Sequence, residues 1–256
     1  MFILRSMGIA FSMFSRIPVP QFEWKERDMK YMIAFFPLVG AVIGTATYLW
    51  GIFCHTFEIG KVCFIFIGTA VPLMISGGIH TDGYMDTMDA LHSYQGREKK
   101  LEILKDPHIG AFSVIGLIAY YLIYMGAYSE IDGKKALALL AAGFYLARIF
   151  SGISVVTFIC AKKDGLLHTF SDRSEKIMVR ILLYLQLAVC GIYMLLLSKW
   201  AGGAALFASA ITFFCYWKKC GKEFGGVTGD TSGYFVTLCE GAVMVTVAAG
   251  CVFSFI

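Results

Sequence analysis

The sequence is poor in charged side chains, and this scarcity limits the classes of protein to which it can belong. Asp, Glu, Lys and Arg make up 16% of its 256 residues, whereas an average soluble domain contains about 25%. Hydrophobic residues make up 58%, and the mean hydropathy is +0.70. This composition excludes a soluble globular protein and a disordered chain.

Cysteine pairs and basic tracts are also missing. The eight cysteines form no CxxC pair, and most lie inside apolar runs, where we expect them to act as small hydrophobes. A disulfide scaffold and a structural zinc site are therefore excluded. The net charge of +4 is modest, and no basic run is interleaved with aromatic residues, so we expect no nucleic-acid partner.

The sequence does contain apolar runs near 20 residues long, the length that crosses about 30 Å of hydrocarbon. They predict an all-α, polytopic transmembrane helical bundle of about seven spans, which forms one membrane-embedded domain over residues 1–256. Residues 1–30 are predicted to be an interfacial segment, because Arg5 and Arg16 interrupt their apolar stretch and no signal-peptide cleavage site follows. The predicted spans cover residues 31–54, 61–79, 109–128, 136–160, 177–197, 200–217 and 234–256.

Lys and Arg residues are distributed unevenly between the two sides of this predicted bundle. The N-terminal segment and the loops 80–107, 161–176 and 218–233 carry 16 of them, and the opposite loops carry 4. Because cytoplasmic loops carry the excess of basic residues, the N-terminus is predicted to be cytoplasmic. The longest polar loops share this side, which predicts a cytoplasm-facing site built from several loops.

An acidic stretch, HTDGYMDTMDALH at residues 80–92, places Asp82, Asp86 and Asp89 at positions i, i+4 and i+7. On a helix these three side chains lie within an arc of about 60°. Carboxylates on one stripe repel each other, and a divalent cation offsets that repulsion. Mg²⁺ commonly binds one or two carboxylates together with substrate phosphates. The alternative is a solvated acidic face paired with Lys residues, which does not explain the regular spacing after an apolar span.

A second polar segment, GGVTGDTSGY at residues 225–234, directly precedes the last predicted span. We expect Gly225, Gly226 and Thr228 to present backbone N–H groups to phosphate oxygens, while Asp230 adds a metal ligand or orients a base. The segment is not a P-loop, because no Lys follows its glycines. The alternative is a flexible connector.

Two further sets of polar residues have competing interpretations. Asp106 precedes His108 and a predicted span, so capping of the next helix is its favoured role, and His108 either contacts phosphate or lies at the interface. Arg148 and Glu240 lie inside predicted spans, where charges are costly and usually have partners. They are predicted to pair with each other, or Arg148 binds a substrate phosphate with its planar fork.

The acidic residues support two classes of function. In an enzyme, they hold Mg²⁺ on a diphosphate, and a carboxylate takes a proton from an incoming hydroxyl group. In an ion-coupled transporter, they line a pathway near the bilayer midplane on broken helices of paired repeats. The acids lie at span ends and no repeat is evident, which favours the enzyme. The depth of Asp82, Asp86 and Asp89 discriminates the two classes.

The stretch GGIHTDGYMDTMDAL, residues 77–91, resembles the GGLHLDGLADTADGL pattern of the cobalamin synthase family, the adenosylcobinamide-GDP ribazoletransferases. Similarity extends to residues 11–20, 35–44, 106–114 and 161–166, and GGVTGD at 225–230 matches directly. The residues that match within the first stretch are Gly77, Gly78, His80, Asp82, Gly83, Asp86, Thr87 and Asp89.

Some positions depart from the family pattern. Pro107 and His108 stand where the family has serine and arginine, Lys162 replaces an arginine, and Ala90 and Ser113 replace glycines. The arginine losses change which cation can contact phosphate near this loop, and they leave the three-aspartate stretch intact.

The resemblance implies a Mg²⁺-dependent phosphotransferase of the bacterial cytoplasmic membrane that joins adenosylcobinamide-GDP to α-ribazole or its 5′-phosphate and releases GMP. A CDP-alcohol-type phosphotransferase is the alternative, since that family has a broadly similar acidic helix. Several roles follow from the resemblance. Asp82 and Asp86 are expected to bind the metal, and Asp89 is expected to bind the metal or act as the general base. Asp230 is expected to complete the metal shell or orient the acceptor. Asp106 is expected to position its loop. The roles expected for other residues are phosphate contacts by Arg148 and Lys162, with His80 as a weaker candidate.

Overall fold

The computed structural model of the protein describes residues 2–20, 25–161 and 174–256. These residues form eleven helices and no strand, with one isolated parallel bridge between Cys160 and Val227, which confirms the all-α prediction. The helices are α1 (Phe2–Phe14), α2 (Glu26–Met29), α3 (Met32–Thr56), α4 (Lys61–Ser76), α5 (Ile79–His92), α6 (Arg97–Ile103), α7 (Ala111–Tyr128), α8 (Gly133–Thr157), α9 (Lys176–Leu197), α10 (Lys199–Glu223) and α11 (Gly229–Val252).

Six of the described helices, α3, α7, α8, α9, α10 and α11, are long and apolar enough to cross a membrane. Helices α4 and α5 pass the same test only as a pair, and their axes meet at 93°. The described residues therefore provide six spans, or seven if the bent pair counts as one, which confirms a polytopic bundle. The single-domain organisation and the cytoplasmic N-terminus stay predictions.

The bend between α4 and α5 has a local cause. Gly77 and Gly78 have φ angles of 68° and 79°, in the left-handed region that favours glycine. The backbone N–H of Arg16 donates to the carbonyl oxygen of Ile75 (2.8 Å), and the Arg16 side chain lies over Gly77. The second predicted span therefore ends at Ser76 instead of residue 79, and α5 is a separate helix that is not among the six that pass the span test alone.

Helix α8 is the central span of the bundle. Most of its residues are buried, and it packs against α3, α9 and α11. Gly40 of α3 lies against the backbone of Phe144, so these two helices approach to backbone contact, as small residues permit in membranes. In contrast, α7 and α9 expose apolar side chains such as Leu122 and Leu196, the kind of surface that faces lipid. All eight cysteines are unpaired, as predicted.

The N-terminal segment forms a short apolar helix, α1, that packs on α3. Its residues Ile9 and Ala10 are fully buried against the bundle. Its proposed location at the membrane interface stays a prediction.

Two predicted span boundaries differ from the structure by more than about four residues. Helix α10 continues to Glu223 instead of residue 217, and α11 begins at Gly229 instead of residue 234. The early start follows from a capping box: the Thr228 hydroxyl accepts from the Thr231 N–H (3.1 Å), and the Thr231 hydroxyl accepts from the Thr228 N–H (2.8 Å). Asp230 therefore lies in the first turn of a helix and not in a loop.

Candidate active site

The acidic helix α5 packs on the beginning of α11. A Cβ atom added to Gly83 would lie 2.6 Å from the carbonyl oxygen of Asp230, so only glycine permits this crossing. One and two turns further along α11, Gly233 lies against the backbone of His80, and the Thr237 hydroxyl donates to the His80 carbonyl oxygen (3.2 Å). The crossing brings Asp230 to the helix that carries the three predicted aspartates.

Asp86 lies where four carboxylates converge. Burial and then repulsion from Asp82, Asp230 and Asp89 raise the pKa of Asp86 from 3.8 to about 6. Asp82 is exposed, and the other three acids are half-buried. The prediction that Asp82, Asp86 and Asp89 share one helix is confirmed, and Asp230 joins them from a distant part of the sequence. This accumulation of negative charge favours binding of a cation.

Asp89 caps helix α7 across the gap between the two helices. Its Oδ2 accepts a hydrogen bond from the Gly110 N–H (2.7 Å), and its Oδ1 accepts one from the Ser113 N–H (2.9 Å). These N–H groups have no partner within their own helix, so the carboxylate satisfies them and is favoured by the helix dipole. Asp89 therefore joins α5 to α7, a role that its spacing in the sequence does not indicate.

The favoured interpretation of Asp106 as the cap of α7 is wrong. Its Oδ1 instead accepts from the backbone N–H of His108 (3.0 Å) and contacts His108 Nδ1 (2.6 Å), and both side chains are exposed. These hydrogen bonds to His108 lower the pKa of Asp106. Asp106 therefore contacts its own loop before α7, and the loop-positioning role that the resemblance implies stays a prediction.

The segment 225–230 is fixed by hydrogen bonds within the protein. The Gly226 N–H donates to Cys220 (3.1 Å) and the Val227 N–H donates to Ile159 (2.9 Å), while the Thr228 N–H completes the capping box. The expected phosphate contacts are therefore wrong for the N–H groups of Gly226 and Thr228, because each already has an acceptor, and the expected contact by Gly225 stays a prediction. The segment also is not a flexible connector, and it positions Asp230 at the start of α11.

Arg148 and Glu240 form an ion pair between α8 and α11. Arg148 Nη1 lies 2.6 Å from Glu240 Oε1 and 2.9 Å from the Phe144 carbonyl oxygen. The Arg148 side chain is 1% exposed and that of Glu240 is 12% exposed. The structure therefore realises the pairing alternative, and the substrate-binding role of Arg148 stays a prediction.

His80 is buried beneath the acidic stripe. Its ring lies beside the contacting pair Phe14 and Phe36, with centroid distances of 6.4 and 5.6 Å. Burial, followed by the nearby charge of Arg148, lowers the pKa of His80 well below its usual value, so the ring is neutral. A buried, neutral His80 suits a packing role better than contact with phosphate.

Lys162 lies outside the described residues. Ala161, which precedes it in the sequence, donates its N–H to the Val227 carbonyl oxygen (2.9 Å). The sequence interpretation missed helix α6, whose Arg97 and Lys100 lie next to residues 223–225. The apolar spacing of Leu101 and Leu104 was the available signal for a helix there.

Two carboxylates at this site have no partner among the described residues. Neither Asp82 nor Asp86 makes a hydrogen bond or an ion pair with any side chain that the structure describes, whereas Asp89 is engaged by α7. Within residues 2–20, 25–161 and 174–256, no three His, Cys, Asp or Glu side chains form a ready-made metal site. Two open carboxylates do fit the chemistry of Mg²⁺, which takes its remaining ligands from water and substrate phosphates.

Fold and site together define a polytopic, all-helical membrane protein with a carboxylate cluster at one end of its bundle. A sequence model described as cobalamin-5-phosphate synthase matches residues 6–248, and the chain belongs to that family. A Lachnoclostridium phytofermentans protein named adenosylcobinamide-GDP ribazoletransferase is 44% identical over 93% of this chain and 90% of its own.

Further relatives carry the same name. A protein of Clostridium botulinum is 31% identical over 98% of this chain and 99% of its own, and one of Treponema denticola is 31% identical over 95% and 97%. No solved structure matches the chain significantly. The resemblance seen in the sequence is thus confirmed over nearly the whole chain.

Proposed function

We propose that this chain is an adenosylcobinamide-GDP ribazoletransferase of the bacterial cytoplasmic membrane. Its family membership and the printed name of its relatives support this activity. The observation that carries the proposal is the convergence of Asp82, Asp89 and Asp230 on Asp86 where α5 packs on the start of α11. Two of these four carboxylates, those of Asp82 and Asp86, have no partner among the described residues. The positive charge of a cation bound to a diphosphate donor would complement the negative charge of these carboxylates.

The reaction is a phosphoryl-group transfer. The 5′-hydroxyl oxygen of α-ribazole, or of its 5′-phosphate, attacks the phosphorus that is bonded to the cobinamide side chain. The new P–O bond forms while the bond from this phosphorus to the GMP oxygen breaks, and GMP leaves. The hydroxyl proton goes to a carboxylate of the site.

Asp82 and Asp86 would hold Mg²⁺, while Asp230 would complete the metal shell or orient the acceptor. The ion supplies positive charge that offsets the negative charge on the attacking and leaving oxygens. The protein's own contribution is geometry: Gly83 lets α5 approach α11, the capping box fixes Asp230, and the two oxygens of Asp89 hold α7 in place.

Two carboxylates are candidates to accept the proton. The first is Asp89, for which metal binding or the base role is expected and whose oxygens each accept one hydrogen bond from a backbone N–H. Asp230 is the second candidate, because it lies at the junction of α5 and α11. Substitution of the carboxylate that accepts the proton should lower turnover more than Mg²⁺ affinity. Substitution of a carboxylate that binds Mg²⁺ should lower both.

The position of the acids along the helices supports the enzyme over the transporter. Helix α5 turns away from α4 by 93°, and its acids lie against the first turns of α7 and α11. The excess of basic residues in the loops at this end supports a site that faces the cytoplasm. The CDP-alcohol-type alternative shares the acidic helix but predicts a different donor.

Incubation of the purified protein with adenosylcobinamide-GDP, α-ribazole and Mg²⁺ tests the proposal. We expect GMP and the joined corrinoid to appear together, and omission of α-ribazole or chelation of Mg²⁺ to stop both. CDP-diacylglycerol with glycerol phosphate serves as the control pair for the alternative family. Release of CMP from that pair, with no GMP from the first, would overturn the assignment.

A further inference from the structure

The guanidinium group of Arg97 lies directly over Gly225. Its Cζ, Nη1 and Nη2 are the three atoms nearest to the position that a Gly225 Cβ would occupy. Gly225 also has a φ of 74°, so both its backbone conformation and this contact require glycine. The first residue of α6 therefore places a planar cation on the segment that leads to Asp230.

Helix α6 is held in this position by two other contacts. The buried Lys100 pairs with Glu223 at the end of α10 (2.5 Å between Nζ and Oε2). Leu104 shares a buried apolar cluster with Phe224 and Val227. These contacts fix α6 against residues 223–227, so the location of the Arg97 side chain follows from packing and not from an ion pair of its own.

Arg97 carries a positive charge that no described side chain neutralises. Its residue is exposed, and no carboxylate among the described residues lies within 4 Å of it, unlike Lys99 and Lys100 on the same helix. We propose that Arg97 binds a phosphoryl group of a substrate at the edge of the carboxylate site. This inference rests on the proposed function and adds to it a binding residue outside the family-derived assignments.

The chemistry of arginine suits this role. The guanidinium presents a rigid fork of donors that matches two phosphate oxygens, and it stays charged at every physiological pH. The phosphoryl group belongs either to the diphosphate of the donor or to the 5′-phosphate of the acceptor. Both sources share the same chemistry, and steady-state kinetics with each substrate in turn distinguishes them.

The test compares Arg97→Gln and Arg97→Lys with Lys99→Gln. Lys99 also lies on α6 and its loss changes the net charge equally, but its ammonium group pairs with Glu102 on the exposed surface. KM and kcat are measured for adenosylcobinamide-GDP, α-ribazole and α-ribazole 5′-phosphate, and Tm is recorded for each variant. Calorimetric binding of inorganic pyrophosphate with Mg²⁺ gives a readout that needs no turnover.

We expect Arg97→Gln to raise KM for a phosphorylated substrate by about 10- to 100-fold, the value of one charge-assisted contact. Arg97→Lys should recover part of this loss, and Lys99→Gln should stay within about twofold of wild type. A change confined to α-ribazole 5′-phosphate identifies the acceptor phosphate; a change for the donor and weaker pyrophosphate binding identify the diphosphate.

Two results would overturn the inference. One is an unchanged KM for every phosphorylated substrate in Arg97→Gln, with wild-type protein active. The other is a lower Tm with reduced kcat and unchanged KM, which indicates a structural role only. Failure of the proposed function itself looks different, because the wild-type protein then releases no GMP.

Discussion

At the scale of single residues, Asp89 combines two assignments that make different demands on its carboxyl group. As a cap, it must offer both oxygens to the N–H groups of Gly110 and Ser113. As a base or metal ligand, it must also offer a lone pair to the reaction centre. The variant Asp89→Asn separates these roles, because it retains one acceptor oxygen and loses the charge.

We expect Asp89→Asn to lower the free energy of unfolding by about 1–2 kcal/mol, the usual value of a helix cap. Thermal unfolding in detergent measures this as a lower Tm. Asp106→Asn is the matched control, since among the described side chains that carboxylate hydrogen-bonds to the exposed His108, and it should shift stability by less than about 0.5 kcal/mol. Equal Tm values for the two variants would contradict the capping role of Asp89.

The buried pair Arg148–Glu240 is a second residue-scale test. Removal of one partner leaves an uncompensated charge inside the bundle, which costs about 3–5 kcal/mol in buried pairs. Arg148→Met and Glu240→Gln should therefore both give little folded protein by size-exclusion chromatography. The double variant Arg148→Met/Glu240→Met should recover the folded fraction.

The activity of the double variant then separates the two interpretations of Arg148. A folded and active double variant assigns only pairing to this residue. A folded double variant with a KM raised tenfold or more supports the predicted phosphate contact. Single variants that fold as well as wild type would refute the energetic importance of the pair.

At the scale of elements, the crossing of α5 and α11 depends on the absence of a side chain at Gly83. In Gly83→Ala, the added Cβ would lie 2.6 Å from the Asp230 carbonyl oxygen, so the helices must separate. We expect kcat to fall by about 10-fold or more, because misplacement of about 1 Å has effects of this size. Gly126→Ala on α7 meets no atom within 4 Å and is the control. Equal activity of both variants would contradict the role of this crossing.

The same elements show how far the sequence alone predicts the structure. Apolar length identifies the spans, and the i, i+4, i+7 spacing places three aspartates on α5, because both are local properties of the chain. The capping of α7 joins Asp89 to Gly110, 21 positions later in the sequence. The contact of Gly83 with Asp230 joins residues 147 positions apart and depends on helix packing. Such contacts have no local signature in the sequence. For this reason the sequence favours the nearby Asp106, and not Asp89, as the residue that caps α7.

The start of α11 and the position of α6 illustrate two other limits. The capping box of Thr228 and Thr231 begins α11 before its apolar run, so hydropathy places the boundary too late. Helix α6 is short and highly charged, and it is held by the tertiary contacts of Lys100 and Leu104. The charged composition of residues 97–103 therefore predicts a loop, whereas packing against the rest of the protein produces a helix there.

At the scale of the whole molecule, the account requires the acidic end of the bundle to face the cytoplasm. The substitutions Lys99→Cys and Lys222→Cys, each made alone in the wild-type chain, mark that end. Lys61→Cys and Lys134→Cys mark the opposite end. In inside-out vesicles, a membrane-impermeant maleimide should label the first two sites and spare the others, with wild-type protein giving the background. The opposite labelling pattern would contradict both the cytoplasmic N-terminus and the orientation of the site.

The most direct test of the central claim is the rate of GMP release by Asp86→Asn. Asp86 lies at the centre of the carboxylate cluster and, among the described side chains, contacts no hydrogen-bonding partner, so its loss should spare folding. We predict that Asp86→Asn, like Asp82→Asn, inserts and expresses normally and loses GMP release by about 1000-fold or more, the scale of a lost electrostatic contribution to catalysis. Full activity of Asp86→Asn, measured beside the wild-type protein, would contradict the claim that this cluster holds the metal and the diphosphate.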